Sequence, residues 1–310
     1  MVEHPLIEKW ASQIASITLG ACKSEGGSRS KILNIGGQNT LPLLFKEGKI
    51  PNPPRIAFEV WDQAPGDWPV ELVNALGKNI LDPFKWAEYC VKECQAELLC
   101  VKLVSFHPDY GNKQPELAGK FIKDLLKRVE VPLIIIGCGD HAVDNSILPI
   151  VSEAAKGERC LIGSALQDNY KTLVASVLAD GHSIVAESPI DVNIAKQLNI
   201  LISDMGLSLE RIVINPTIGA LGYGLEYAYS IMERARLAAL SGDKTLACPF
   251  ICFAGQEAWR ANEAKLSPQH GIIWETITAS ALIQAGADIL VIRHPSAAEK
   301  LNKHIKNLFS

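Results

Sequence analysis

The sequence predicts a (β/α)8 barrel, and three observations carry that expectation. Short apolar runs of strand composition recur eight times, a segment of helical periodicity separates each from the next, and most of the runs end in a polar or turn-forming residue. Parallel strands cannot be joined by a tight turn, so apolar runs that alternate with amphipathic helices read as one parallel sheet. Eight such units fit a closed barrel of about 250 residues, within the 310 residues here.

The first stave is RIAFEVWD, Arg55 to Asp62, set off by the breaker run Pro51-Asn52-Pro53-Pro54. The later staves are LLCVKLVSFHP (98–108), PLIIIGCGD (132–140), CLIGSA (160–165), SIVAESP (183–189), RIVINPT (211–217), FICFAGQ (250–256) and DILVIRHP (288–295). Helices are expected at 70–77 and 82–95, then 115–129, 144–156, 168–179, 190–205 and 225–241, then 257–264 and 271–285, and finally 296–308. Asp82 before Pro83 makes an N-cap and first-position pair, Asp168 is a plausible cap, and Asp191 falls in a first helical turn. No low-complexity tract or linker interrupts the series, so 55–310 reads as a single barrel.

Residues 1–54 form an annex ahead of it. An amphipathic helix is expected over 4–17, with Leu6, Ile7, Trp10, Ile14 and Ile17 on one side. ITLGAC (17–22) and KILNIGG (31–37) then flank a polar, glycine-rich turn, which is a β-hairpin pattern. Such a hairpin is expected to cap the N-terminal mouth of the barrel. Gly36-Gly37 is not a dinucleotide fingerprint, because no third glycine follows at the required spacing and no helix opens there.

A net charge of −4 gives no electrostatic footprint for nucleic acid or an anionic membrane. The first residues lack a basic-then-apolar signal pattern, and no run approaches the roughly 18 apolar residues that span a bilayer, so a cytoplasmic protein is expected. The eight cysteines include no Cys-x-x-Cys pair, and those at 100, 138, 160 and 252 fall inside expected strands. They read as buried, reduced thiols rather than as ligands of a cluster.

In this fold chemistry sits at the C-terminal ends of the strands, where the loops converge on the barrel axis. The polar residues expected there are Asp62, His107, Asp109, Asp140, His141, Ser164, Glu187, Asn215, Thr217, Gln256, Glu257, Arg293 and His294. Any of the acids can instead serve as a helix cap, Asp140 and Glu257 above all. There is no His-x-His, no His-Glu-x-x-His and no compact carboxylate triad, so no metal site is expected. Lys102, the only strand lysine, is placed mid-strand, away from a Schiff-base position. The most ligand-like loop is Thr217 to Gly224, in which Gly219, Gly222 and Gly224 let backbone approach a flat partner and Leu221 and Tyr223 offer apolar surface. The candidate binding residues are therefore Thr217, Gly219, Leu221, Gly222 and Tyr223, with His107, Asp140, Glu187 and Gln256 at other strand ends. No catalytic residue is assigned.

The run LNIGGQNTLPLLFKEGKIPNPPRIAFEVWD (33–62) and the later INPTIGALGYGLEYAYSIMERAR (214–236) resemble the delta family of the acetyl-CoA decarbonylase/synthase complex, the small subunit of the corrinoid iron–sulfur protein in acetogens. The resemblance covers essentially the whole chain. It implies a barrel paired with a large subunit that carries cobalamin and a [4Fe–4S] cluster. The pair carries methyl groups from a methyltetrahydrofolate methyltransferase to CO dehydrogenase/acetyl-CoA synthase in the reductive acetyl-CoA pathway. The small subunit then shields a corrinoid at the shared interface and holds no iron–sulfur cluster itself. The residues agree with that division: the Asp-x-His-x-x-Gly signature of base-off cobalamin domains is missing, since Asp180-Gly181-His182 is followed by Val185 where the glycine would stand. The other functional reading is a pterin-binding methyltransferase barrel acting on methyltetrahydrofolate, with Asn215 and either Asp62 or Asp140 on the pterin edge.

Overall fold

The computed structural model describes residues 7–309. The eight staves appear in order as β3 (Arg55–Trp61), β4 (Leu99–Lys102), β5 (Leu133–Ile136), β6 (Leu161–Ala165), β7 (Ser183–Glu187), β8 (Ile212–Asn215), β9 (Ile251–Cys252) and β10 (Ile289–Ile292), after a hairpin of β1 (Ser16–Leu19) and β2 (Leu33–Gly36). The eight pair in parallel in the order β8-β7-β6-β5-β4-β3-β10-β9, and a parallel bridge from Ile214 to Phe250 joins the two ends. The sheet is a nearly closed barrel.

The helices are α1 (Val70–Leu76), α2 (Pro83–Lys92), α3 (Glu116–Leu126), α4 (His141–Ala154), α5 (Tyr170–Asp180), α6 (Val192–Asp204), α7 (Leu225–Leu240), α8 (Ala254–Ala258), α9 (Pro268–Ala285) and α10 (Pro295–Leu308). Half of the ten starts are set by side-chain caps. Asp82 accepts from the Phe84 amide at 2.9 Å with Pro83 in the first position, as expected. Asp191 is the cap of α6 rather than a first-turn residue, and Asn169, not Asp168, precedes α5. No helix among the described residues is long and apolar enough to cross a membrane.

Side chains alternate across each strand. Outward positions such as Phe58, Val101, Ile135 and Ile214 join the large core beneath the helices. Inward positions form a second core of Ala57, Cys100, Ile134, Leu161, Val185, Val213, Ile251 and Val291. Ile17, Leu19, Leu33 and Ile35 of the hairpin belong to that same inner cluster.

The helix expected over 4–17 does not form over its described part. Residues 7–15 run without helix as a strap whose amides bond elsewhere: Ala11 and Ser12 to the Leu240 carbonyl, Ile14 to Gln38 and Ala15 to Ala247. A backbone that has found partners across the fold has no use for its own helical ladder. Residues 4–6 of that expected helix, Leu6 among them, lie outside the described residues.

All eight cysteines are free thiols. Five are buried, and Cys22, Cys94 and Cys138 are half-buried. Burial pushes the Cys160 and Cys248 thiols up to about 12, which keeps them protonated and chemically quiet.

Candidate functional site at the barrel mouth

Two strands end earlier than the apolar runs imply, and this sets the site. β4 stops at Lys102 because Val104–Phe106 curls into a 3-10 turn, and β9 stops at Cys252 because α8 begins at Ala254. Lys102 therefore stands at a strand end facing the mouth, not mid-strand, and Gln256 projects from a short helix.

Continuing the inward alternation by one step beyond the apolar layer gives Glu59, Lys102, Glu187, Asn215 and Arg293 on five staves and Ile136, Gly163 and Phe253 on the other three. The barrel is thus apolar below and polar above. Above this layer opens a cavity of about 610 Å³ whose lining includes Trp61, Trp68, Lys102, Phe253, Gln256 and Arg293.

Glu59 is the keystone of the floor. Its Oε1 accepts from Arg293 Nη2 at 2.7 Å and from Trp61 Nε1 at 2.6 Å, and Lys102 Nζ lies 3.6 Å away. Burial alone would raise its pKa, but the Arg293 and Lys102 charges outweigh that and hold it down at about 2. Lys102 also donates to Gln256 Oε1 and sits 4.6 Å from the Phe253 ring centroid. The Arg293 guanidinium lies over Trp68 at 4.4 Å and Trp61 at 5.6 Å. Behind it, the fully buried Glu275 accepts from the Arg293 amide at 2.6 Å, the His294 amide at 3.2 Å and Trp259 Nε1 at 2.9 Å. Burial nevertheless raises Glu275 to about 7.

The remaining walls are built by strand-end loops. Asn215 Nδ2 donates to Glu187 at 3.1 Å, and Asn215 Oδ1 accepts from the Thr217 amide at 3.1 Å. Thr217 holds φ +47°, an outlier for a β-branched residue, and its hydroxyl accepts from the Ile190 amide at 3.2 Å. Asp144 tucks under Gly137 and accepts from the amides of Cys138 (2.7 Å) and Gly139 (3.1 Å). A Cβ at Gly137 would lie 2.2 Å from Asp144 Oδ1, so a larger residue there would push the Asp144 carboxylate off these amides.

Of the candidate binding residues, Thr217, Glu187 and Gln256 line this cavity together, and His141, Ser164, Asn215, Glu257 and Arg293 of the wider strand-end set line it with them. Other expected residues are engaged elsewhere. Asp140 caps α4, accepting from the Val143 amide at 3.0 Å, and Asp62 is spent on Ser105, whose amide donates at 2.9 Å. His107 takes the Asp109 amide on Nδ1 at 3.1 Å and packs edge-on to Tyr110.

Past Thr217 and Ile218, which line the cavity, the glycine-rich loop turns away from the mouth. The space left by the missing Cβ of Gly219 is filled by the loop's own Tyr223 carbonyl, and Gly222 and Gly224 supply positive φ. Leu221 is pinned to α9 through Thr278 and Trp274, and the Tyr223 hydroxyl donates to Glu263 at 2.9 Å. Leu221 and Gly222 line a separate surface groove beside α7.

Sequence reasoning missed Glu59 and Lys102 as a buried pair. The signal was the period-two parity along each stave. Among the described residues, no group of three or more His, Cys, Asp or Glu side chains is placed to hold a metal ion.

Fold and mouth together define the class: a (β/α)8 barrel with a charged floor and a partly aromatic wall at its C-terminal mouth. Solved structures of dihydropteroate synthase share the fold. The Xanthomonas albilineans enzyme with 4-aminobenzoic acid superposes with a TM-score of 0.58 at 13% identity, covering 86% of this chain and 97% of that one. The Yersinia pestis enzyme gives 0.57 at 11% identity, covering 82% and 93%. At such identity the likeness shows the fold alone. Sequence goes further. The family model for the CO dehydrogenase/acetyl-CoA synthase delta subunit matches residues 16–303. The acetyl-CoA decarbonylase/synthase complex subunit delta of Methanopyrus kandleri is 35% identical over 294 residues, covering 92% of this chain and 73% of its own. That of Methanocaldococcus jannaschii is 34% identical over 312 residues, covering 98% and 76%. The chain belongs to the delta-subunit family of the acetyl-CoA decarbonylase/synthase complex.

Proposed function

We propose that this chain is the small subunit of a heterodimeric corrinoid iron–sulfur protein, and that its barrel mouth covers a corrinoid held by the large subunit. In that role it works with a methyltetrahydrofolate methyltransferase and with CO dehydrogenase/acetyl-CoA synthase, in the cytoplasm, as part of the acetyl-CoA pathway. Membership of the delta family supports the assignment. The observation that carries it in this molecule is the mouth itself, an open cavity of about 610 Å³ walled by Trp61, Trp68 and Phe253.

These residues suit a flat, largely apolar partner. The aromatic wall offers stacking surface and excludes water, and Glu59 pairs with both floor cations from beneath. The cobalt of a bound corrinoid would carry the methyl group. The contribution of this chain is shape and dryness, supplied by Trp61, Trp68 and Phe253 and by the strained but hydrogen-bonded loop at Thr217. Tryptophan emission tests the role, because a corrinoid absorbs visible light and quenches nearby indoles. Adding a corrinoid-loaded large subunit should quench emission beyond the sum of the separate proteins, and the corrinoid-free subunit should not. Equal emission from both mixtures would contradict the proposal.

A pterin-binding methyltransferase barrel is the second reading. The fold likeness to dihydropteroate synthase and the Asn215–Glu187 pair on the cavity wall favour it. It loses support from Asp62 and Asp140, the acids it would recruit, which are spent on Ser105 and on the α4 cap. Titrating the chain alone with methyltetrahydrofolate separates the two, since only the pterin reading requires binding.

A further inference from the structure

We infer that the floor of the mouth cavity is a binding site, belonging to this chain alone, for a small aromatic monocarboxylate. The inference does not rest on the corrinoid reading, because every group it uses lies in this chain.

The first ground is charge. Lys102 and Arg293, 8% and 7% exposed, line the cavity, while the one carboxylate they share, Glu59, is 1% exposed and lies beneath them. A ligand reaching the floor meets the two cations first, with a single negative charge behind. Among the described residues no other carboxylate lies within ion-pair distance of Lys102 or Arg293. Asp144 is held by the Cys138 and Gly139 amides, Glu187 by Asn215 and Glu257 by Arg260, and Asp67 stands exposed at the rim. Glu275, behind the β10 backbone, faces the amides of Arg293 and His294 and the Trp259 indole. A buried cation without its full complement of anion is costly, and an anionic ligand relieves that cost. Arg293 Nε also has no hydrogen-bond partner.

The surplus is one charge, which sets the ligand class. A carboxylate neutralises it, whereas a phosphate dianion would overshoot.

The second ground is shape. Three of the six tryptophans of the chain, Trp61, Trp68 and Trp259, line this one cavity together with Phe253. Such walls take a planar conjugated body by stacking or edge contact. The volume of about 610 Å³ lies in the usual range for small-molecule sites, about 300–1,000 Å³.

Benzoate, benzamide and inorganic phosphate are the probes, titrated into the purified full chain with tryptophan emission and calorimetry as readouts. Benzoate should saturate below about 10 mM, with benzamide and phosphate each at least about tenfold weaker. Lys102→Met should weaken benzoate by about tenfold and leave benzamide unchanged, with the circular dichroism spectrum intact. Benzoate and benzamide binding alike, phosphate binding best, or no benzoate binding below about 10 mM would each overturn the proposal. The probe comparison in the unaltered chain decides the matter even if Lys102→Met fails to fold.

Discussion

Glu59 and Arg293, 234 positions apart in the chain, meet at 2.7 Å inside the barrel. Their strands, β3 and β10, are hydrogen-bonded neighbours, so one ion pair ties the first barrel stave to the last just below the mouth. Lys102 on β4, the stave on the other side of β3, completes the cluster.

Replacing Glu59 by Gln leaves Lys102 and Arg293 buried without their anion. Breaking a buried pair in this way costs about 3–5 kcal/mol, and denaturant unfolding of Glu59→Gln should show a loss of that order. A loss within about 0.5 kcal/mol would place the cluster among weak surface pairs. The acid side follows from linkage. Glu59 titrates near 4.5 when unfolded and about 2 when folded, so its stabilisation is fully present above pH 4.5 and is lost as pH falls through 2.

Glu275 has the opposite sign. Burial raises it from 4.5 to about 7, so the folded state holds a proton that the unfolded chain releases. Its ionisation costs nothing below pH 4.5, costs more as pH rises, and reaches the full penalty, about 3 kcal/mol, above pH 7. Glu275→Gln cannot ionise. The stability difference between the two proteins should therefore move in favour of the variant by about that amount from pH 4.5 to 7, and a difference that stays constant contradicts the assignment. The offset at low pH only reports hydrogen bonds that the amide makes less well.

The hairpin should behave as core. Ile35 is 1% exposed in the cluster that fills the barrel. Ile35→Ala should cost about 2–5 kcal/mol, as for any buried isoleucine, and should shift a single cooperative transition. A separate early transition for the hairpin would show that it is only an appendage.

The barrel was legible because each stave is a run of apolar residues closed by turn chemistry, a pattern that survives without tertiary context. Strand ends were less so. The LVSFHP stretch keeps strand composition while its backbone curls away at Val104, and that hid Lys102 at the mouth. Trp10, Ile14 and Ile17 have helical spacing, but Trp10 and Ile14 lie in a strap that takes its hydrogen bonds from Leu240, Gln38 and Ala247, far away in sequence, and Ile17 lies in β1. The mouth was half legible. Thr217, Glu187 and Gln256 were found from their place at strand ends, whereas Asp140 was absorbed by a helix cap and Tyr223 by Glu263. Glu59 escaped notice because it sits inside an otherwise apolar stave, although its parity with Ala57 and Trp61 points it inward.

The central claim is most directly tested by co-purification. This chain is expressed with and without a corrinoid-bearing large subunit, and mass and visible spectrum are recorded. The account predicts a one-to-one complex with a corrinoid spectrum and a colourless lone chain. A stable chain that ignores the large subunit and binds methyltetrahydrofolate by itself would contradict it.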